Sequence, residues 1–129
     1  MKKRVWFDRT DCLAIHEVML AQHGGLAGVR DDNMLESAGK PRNLAAYEKP
    51  DLAALAAAYA SGIVRNHPFL DGNKRTGFML AVAFLECNGL EFFASEVDAV
   101  VKTLALAAGE LDESDYTDWL RQFSRRRRW

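Results

Sequence analysis

At 129 residues, with 49% apolar and 27% charged side chains, the chain has the dimensions of one ordinary globular domain over residues 1–129, without room for a separate regulatory module. The formal charge of -1 conceals an uneven distribution, because setting aside Arg125, Arg126, Arg127 and Arg128 reduces the 17 basic residues to 13 against 18 acidic ones. A body of that sign lacks the basic face of a nucleic-acid binder, so nucleic acid is not the expected partner.

Thr10 is the expected cap of a first helix over 11–22, stopped by Gly24-Gly25. A short helix follows Asp31, carries Met34, Leu35 and Ala38, and ends at Gly39-Lys40-Pro41. Residues 42–49 read as loop or partial turn. Pro50 or Asp51 then opens a long helix through Leu52, Leu55, Ala56, Tyr59 and Ile63 to about Arg65. Its alanines cost little side-chain entropy and permit close packing against the equally apolar segment after Asn73. That segment reads as a buried helix, capped by Asn73 and stopped at Gly89. Residues 90–93 suit a short extended piece, partnered by residues 5–7 or by the stretch near Gly28. Ser95 and Asp98 resemble a capping pair for a helix carrying Val97, Val100, Val101, Leu104 and Leu106 to Gly109. A last helix within 112–123 should bury Tyr116, Trp119, Leu120 and Phe123. Residues 124–129 read as a flexible basic tail, with Lys2, Lys3 and Arg4 a second loose basic end. The fold class is therefore all-α and compact, with room for one very short extended or hairpin element.

Compartment follows from what is missing. The apolar run from Ala53 to Ala60 is far short of a membrane span, and Met1-Lys2-Lys3-Arg4 leads into no sustained apolar region. A cytoplasmic protein without membrane association is expected. Cys12 and Cys87, each in an apolar helical setting, are expected to be buried free thiols.

The chemistry concentrates in His67-Pro68-Phe69-Leu70-Asp71-Gly72-Asn73-Lys74-Arg75. A helix beginning at its end turns free amides and the positive end of its dipole toward Asp71 and Gly72, while Lys74 and Arg75 occupy the first turn. Cations there oppose helix stability. Their placement makes sense when an anion, most naturally a phosphate, meets them together with the amides. Gly72 keeps no side chain between anion and backbone, and Asp71 suits a magnesium ion shared with phosphate oxygens. His67 can take a proton near neutral pH, as a hydroxyl acceptor would require. Pro68 and Phe69 read as loop-positioning pieces, one fixing entry and the other anchoring the loop to the core. The residues alone also fit blander roles: a packed or capping histidine, a turn-forming aspartate, a solvated basic edge.

This run resembles the signature of the Fic/Doc superfamily, and specifically its death-on-curing toxin branch, with Lys74 where the wider Fic branch usually has glycine. The likeness extends to His23-Gly24-Gly25-Leu26-Ala27-Gly28-Val29-Arg30-Asp31, to Leu35-Glu36-Ser37-Ala38, to Pro41-Arg42 and to Tyr47. It implies His67 as the base for a target hydroxyl, Asp71 as the magnesium ligand, and Gly72, Asn73, Lys74 and Arg75 around phosphate. Most Fic members move AMP from ATP onto a protein. The branch with lysine is associated with ATP bound in the reverse sense, and so with transfer of the terminal phosphate to a threonine of translation elongation factor Tu, arresting protein synthesis. The residue types by themselves do not choose between AMP and phosphate, and a non-catalytic nucleotide-responsive binding module is a further alternative. Gly24, Gly25, Gly28 and Arg30, with Lys40 and Arg42, are expected to rim the substrate site.

Control should come from outside the chain. Self-restrained Fic proteins carry an inhibitory helix with Ser or Thr, then Glu four residues later, then Gly or Asn, and no Ser or Thr here is followed that way. The resemblance implies a separate antitoxin whose C-terminal segment folds into a helix as it binds.

Overall fold

Five of the six helices described below start on a side-chain cap, and the sixth does not. The computed structural model describes residues 4–42 and 50–127. Its elements are α1 (Arg9–His23), α2 (Asp32–Ala38), α3 (Leu52–Val64), α4 (Asn73–Cys87), β1 (Leu90–Phe92), α5 (Glu96–Ala108), α6 (Glu113–Gln122) and β2 (Ser124–Arg126). Asp8, Asp31, Asp51, Ser95 and Asp112 each accept a hydrogen bond from the backbone N–H three residues on. Asp8 displaces Thr10 from the expected capping role, because Asp8 and Asp11 cap one another reciprocally and start α1 earlier. Of the stretch at 42–49 expected as loop or partial turn, residues 43–49 lie outside the described residues. Among the described residues, no helix is long and apolar enough to cross a membrane.

Helices α3 and α4 form the centre. Ala53, Ala56, Ala57 and Ala60 are buried on α3, and Leu80, Ala81, Phe84 and Leu85 on α4. The two approach so closely that a Cβ on Gly77 would lie 2.4 Å from Val64 Cγ2. Large side chains fill the remaining space, among them Tyr59, Tyr116, Phe69 and Phe84, each worth roughly 1.5–3 kcal/mol of apolar burial. α6 packs against α3, and its aromatic face of Tyr116 and Trp119 closes the core as expected. Asp51 joins the same two helices from the surface, taking hydrogen bonds from Arg121 Nε at 2.8 Å and Nη2 at 3.1 Å.

The extended piece at β1 finds a partner other than the expected ones. It pairs antiparallel with β2, Leu90 opposite Arg126 and Phe92 opposite Ser124. Residues 124–126 are therefore a strand and not a loose tail; Arg125 pairs with Glu91 across the sheet and lies over the Phe93 ring at 4.6 Å. Alternation of arginine stems on a short edge gives those positions something to pack and pair with. Arg128 and Trp129 lie outside the described residues. The segment at 5–7 instead meets side chains: Asn88 exchanges hydrogen bonds with Val5 at 2.8 and 3.0 Å, and Tyr59 with Phe7 at 2.9 and 2.7 Å. Asn88 Nδ2 also donates to Phe84 O at 2.8 Å.

α5 divides its apolar residues between two faces. Ala99, Thr103 and Leu106 form its buried stripe, whereas Val97, Val100, Val101 and Leu104 are 48–75% exposed. Two bonds to α6 fix this rotation: Thr103 Oγ1 lies 2.9 Å from the Tyr116 hydroxyl, and Trp119 Nε1 donates to Asp98 at 2.6 Å. Cys87 departs from expectation, being exposed at the end of α4, while Cys12 is buried; both are free.

Candidate functional site

The loop between α3 and α4 is built from its hydrogen bonds. Asn73 does not cap the helix it begins. Its side chain reaches backward, accepting from Phe69 N at 3.0 Å and donating to Phe69 O at 3.0 Å, which closes residues 69–73 into a ring. The cap position falls to Gly72, left-handed at φ 76°, with no side-chain cap bond. The first amides of α4 thus face outward uncapped, as an anion site requires. Lys74 and Arg75 are exposed in the first turn and make no ion pair among the described residues.

Asp71 is held by two amides, Leu26 N donating to Oδ2 at 3.1 Å and Gly72 N to Oδ1 at 2.9 Å. These bonds, Leu26 first and Gly72 next, lower its carboxyl below the ordinary 3.8, with Arg75 assisting. The group is ionised at neutral pH and remains exposed. Gly25 packs directly on it, since a Cβ there would lie 2.8 Å from Asp71 Oδ2. No cluster of three or more His, Cys, Asp or Glu among the described residues forms a metal cage. A single anchored carboxylate fits magnesium, which is commonly held by one or two carboxylates together with phosphate and water.

His67 lies three residues past α3, its N–H donating back to Ile63 O at 3.1 Å, and adopts φ 49°. It is the one non-glycine residue with positive φ among those described, a conformation costing about 1–3 kcal/mol that the surroundings must enforce. Arg30 supplies part of that enforcement, its Nε donating to His67 O at 2.6 Å and its Nη2 to Asn66 O at 2.8 Å. The glycine-rich segment runs alongside: Val29 and Phe69 form a bridge, Arg30 N donates to Pro68 O at 2.7 Å, and Leu70 N donates to Gly28 O at 3.1 Å.

Two cavities meet at this loop. One of about 600 Å³ is lined by Asp71, Gly72, Asn73, Lys74 and Arg75 together with Met79 and the Thr103 side of α5. The other, about 580 Å³, is lined by His67, Lys74, Glu110 and the small residues of late α5. Lys74 and Leu104 belong to both.

The nine motif residues are thus brought together, with Pro68 and Phe69 buried beneath them. Gly24 ends α1 above open space, and Gly25 and Gly28 lie against the motif loop. Lys40 and Arg42 do not join them. Lys40 follows Gly39, which abuts the start of α1 at Arg9 N, and Arg42 lies over the Trp6 ring at 5.9 Å. The loop meets α1 from His16 onward, about 10 Å along the helix from Arg9. Sequence reasoning missed His16. Its ring stacks on Phe69 with centroids 3.7 Å apart and planes 3° apart, and its Nε2 lies 2.8 Å from Asp71 O. The available signal was its spacing: Cys12, His16 and Met19 are the buried residues of α1, one helical stripe.

This helical domain places a histidine, an anchored carboxylate and two cations without an ion pair among the described residues around a helix start with no side-chain cap, a setting chemically suited to a phosphate-bearing molecule. Its family is given by comparison with known sequences: the profile of the Fic/DOC family matches residues 6–85, and the chain belongs to that family. It is 35% identical over 114 residues to "Protein kinase doc" of Escherichia phage P1, covering 87% of this chain and 90% of that one. It is also 35% identical over 92 residues to "Toxin Doc" of Mycolicibacterium smegmatis, covering 69% of this chain and 68% of that one.

Proposed function

We propose that this protein is a toxin that transfers the terminal phosphate of ATP to a Ser or Thr hydroxyl of a translation protein, with elongation factor Tu as target, in the cytoplasm. The observation that carries this reading is Lys74, which stands on the wall between the cavity of Asp71 and Arg75 and the cavity of His67. A phosphoryl group beside Lys74 would have the nucleotide on one side and an incoming hydroxyl on the other, the in-line arrangement that transfer needs. The names of the two relatives, one a kinase and one a toxin, point the same way.

Each group has a definite task. His67, exposed in its cavity, accepts the proton of the target hydroxyl. The amides at the start of α4 and the Arg75 guanidinium hold phosphate oxygens, and Lys74 offsets the charge spread over the transferred group. Asp71 would hold magnesium, which supplies charge neutralisation between adjacent phosphates when bound. Gly25 and Leu26 keep that carboxylate in place from the opposite side.

An antitoxin would restrain the enzyme from the exposed face of α5. Val100, Val101 and Leu104 present apolar surface beside the two cavities and Val97 continues that exposed face, suited to a segment that becomes helical as it binds. Val97→Asp, on the same face but lining neither cavity, should release growth arrest from control by the neighbouring reading frame's product without lowering activity on the target.

The deciding experiment incubates the protein with elongation factor Tu and ATP labelled separately at its first and terminal phosphates, followed by intact-mass measurement. Terminal label and the mass of one phosphate are expected. Addition of AMP would replace the kinase assignment by adenylyl transfer, and nucleotide binding with no modification would make the domain a binding module.

A further inference from the structure

Among the described residues, His67 is the place where the chain adopts a conformation its residue type does not favour, and the base of the proposed reaction is the residue that does so. Helices that end in a left-handed residue ordinarily place glycine there. Here a histidine occupies the position and is followed by proline, which disfavours the right-handed helical alternative. Released from restraint, His67 has the extended region open to it, and that region would swing the imidazole away from its cavity.

The restraint acts on both sides of the residue. Torsions φ and ψ are set once the peptide planes before and after a residue are fixed. The Asn66 carbonyl belongs to the preceding plane and accepts from Arg30 Nη2 at 2.8 Å. The His67 carbonyl belongs to the following plane and accepts from Arg30 Nε at 2.6 Å. One rigid guanidinium edge therefore spans both planes, which the point charge of a lysine cannot do. Its positive charge also lies against the carbonyl end of α3, where the helix dipole favours a cation. Arg30 is itself tethered through its backbone, Arg30 N donating to Pro68 O at 2.7 Å, so the clamp and the loop form one unit. The side chain lines neither cavity.

We propose that Arg30 is a positioning residue for His67, holding the end of α3 in the left-handed turn that presents the imidazole to the target hydroxyl. The proposal rests on the transferase reading above, and two kinds of readout separate the fates of the two. The first is independent of activity. In the full chain labelled with ¹³C, the Cα shift of His67 reports its backbone region, and Arg30→Leu is expected to move it toward extended values. Arg30→Lys should move it part of the way and, as the milder change, preserves the test if the leucine variant folds poorly. The second readout is kinetic, with elongation factor Tu and ATP. Arg30→Leu should lower kcat about 10- to 100-fold, the scale of a misplacement near 1 Å, with the KM for ATP within about twofold. In a His67→Ala background the same change should have no further effect, because the group it positions is gone.

An unchanged Cα shift in Arg30→Leu overturns the proposal. So does a raised KM for the protein target at unchanged kcat, which would make Arg30 a rim contact. An equal loss of residual rate in the His67→Ala background also overturns it, as general structural damage. Transfer at an undiminished rate in His67→Ala alone overturns the role of His67 as base and leaves the backbone measurement to judge the clamp.

Discussion

The two ends of the α3–α4 pair treat their charges in opposite ways. Where α3 begins, Asp51 caps the helix and binds Arg121, which also pairs with Asp118. Where α4 begins, the helix has no side-chain cap, and Lys74 and Arg75 make no ion pair among the described residues. The first end satisfies its donors internally and so contributes to stability. The second leaves donors and cations turned outward at the dipole's positive end, an arrangement that costs stability until an anion arrives. Charge held in reserve, more than charge as such, marks the functional end.

The largest test of that contrast removes the proposed base. His67→Ala should lower transfer about 10²- to 10⁴-fold in steady-state assays while thermal unfolding is unchanged, since the imidazole makes no hydrogen bond among the described residues. Lys74→Ala comes next, with an expected loss of about 10²-fold in transfer, the scale of removing one charge-stabilising donor. Retained rate in that variant would move the phosphate away from the wall between the cavities.

Substitution at the quiet end should reverse the pattern. Asp51→Ala loses a cap worth about 0.5–2 kcal/mol and a half-exposed ion pair worth at most about 1 kcal/mol, read as a lower urea midpoint with nucleotide affinity unaltered. The pH dependence has a definite sign. Hydrogen bonding from Arg121 holds the Asp51 carboxyl below the ordinary 3.8, so its contribution is complete above that value and disappears as pH falls through the lowered one. Asp51→Asn keeps the cap, loses the ion pair, and should flatten stability across that acid window.

Thiol labelling then checks that the variants differ locally. Burial pushes the Cys12 thiol up to about 12, whereas Cys87 is exposed, so one thiol per folded chain should react quickly with an alkylating reagent and two after denaturation. Fast labelling of Cys12 in any variant would expose a loosened core. The smallest effect is expected from Thr76→Val. Thr76 Oγ1 is buried without a hydrogen-bond partner among the described residues, directly behind the first turn of α4. Its replacement should be neutral or stabilising by up to about 1 kcal/mol in chemical unfolding; a clear destabilisation would mean the hydroxyl has a partner.

Local signals carried much of this into the sequence. Gly24, Ser95 and Gly109 mark helix ends because capping depends on residues within one turn of one another. The motif loop was legible for the same reason: its groups lie within nine consecutive positions. What failed to show depends on contacts distant in sequence. Both faces of α5 carry apolar side chains, and the rotation is chosen by Tyr116 and Trp119 on α6. The pairing of β2 reverses the meaning of an arginine run, and His16 gains its role from a stack on Phe69 more than fifty residues away. Arg42 reads as a cation near the site only until Trp6 claims it.

Asn88 and Gly89 form the dipeptide most prone to spontaneous ageing, in which the glycine nitrogen attacks the asparagine side-chain carbonyl and expels ammonia. The fold engages both reactants. The side-chain oxygen of Asn88 accepts from Val5, its nitrogen donates to Val5 and Phe84, and the Gly89 nitrogen donates to Glu86 O at 3.2 Å. Attack requires those bonds to open, so deamidation at this position becomes a slow clock that runs when the segment around Val5 peels away. Once struck it is not reset. The aspartate produced lacks the donor that Val5 O and Phe84 O require, leaving the chain's first extended segment less firmly fastened in every later opening.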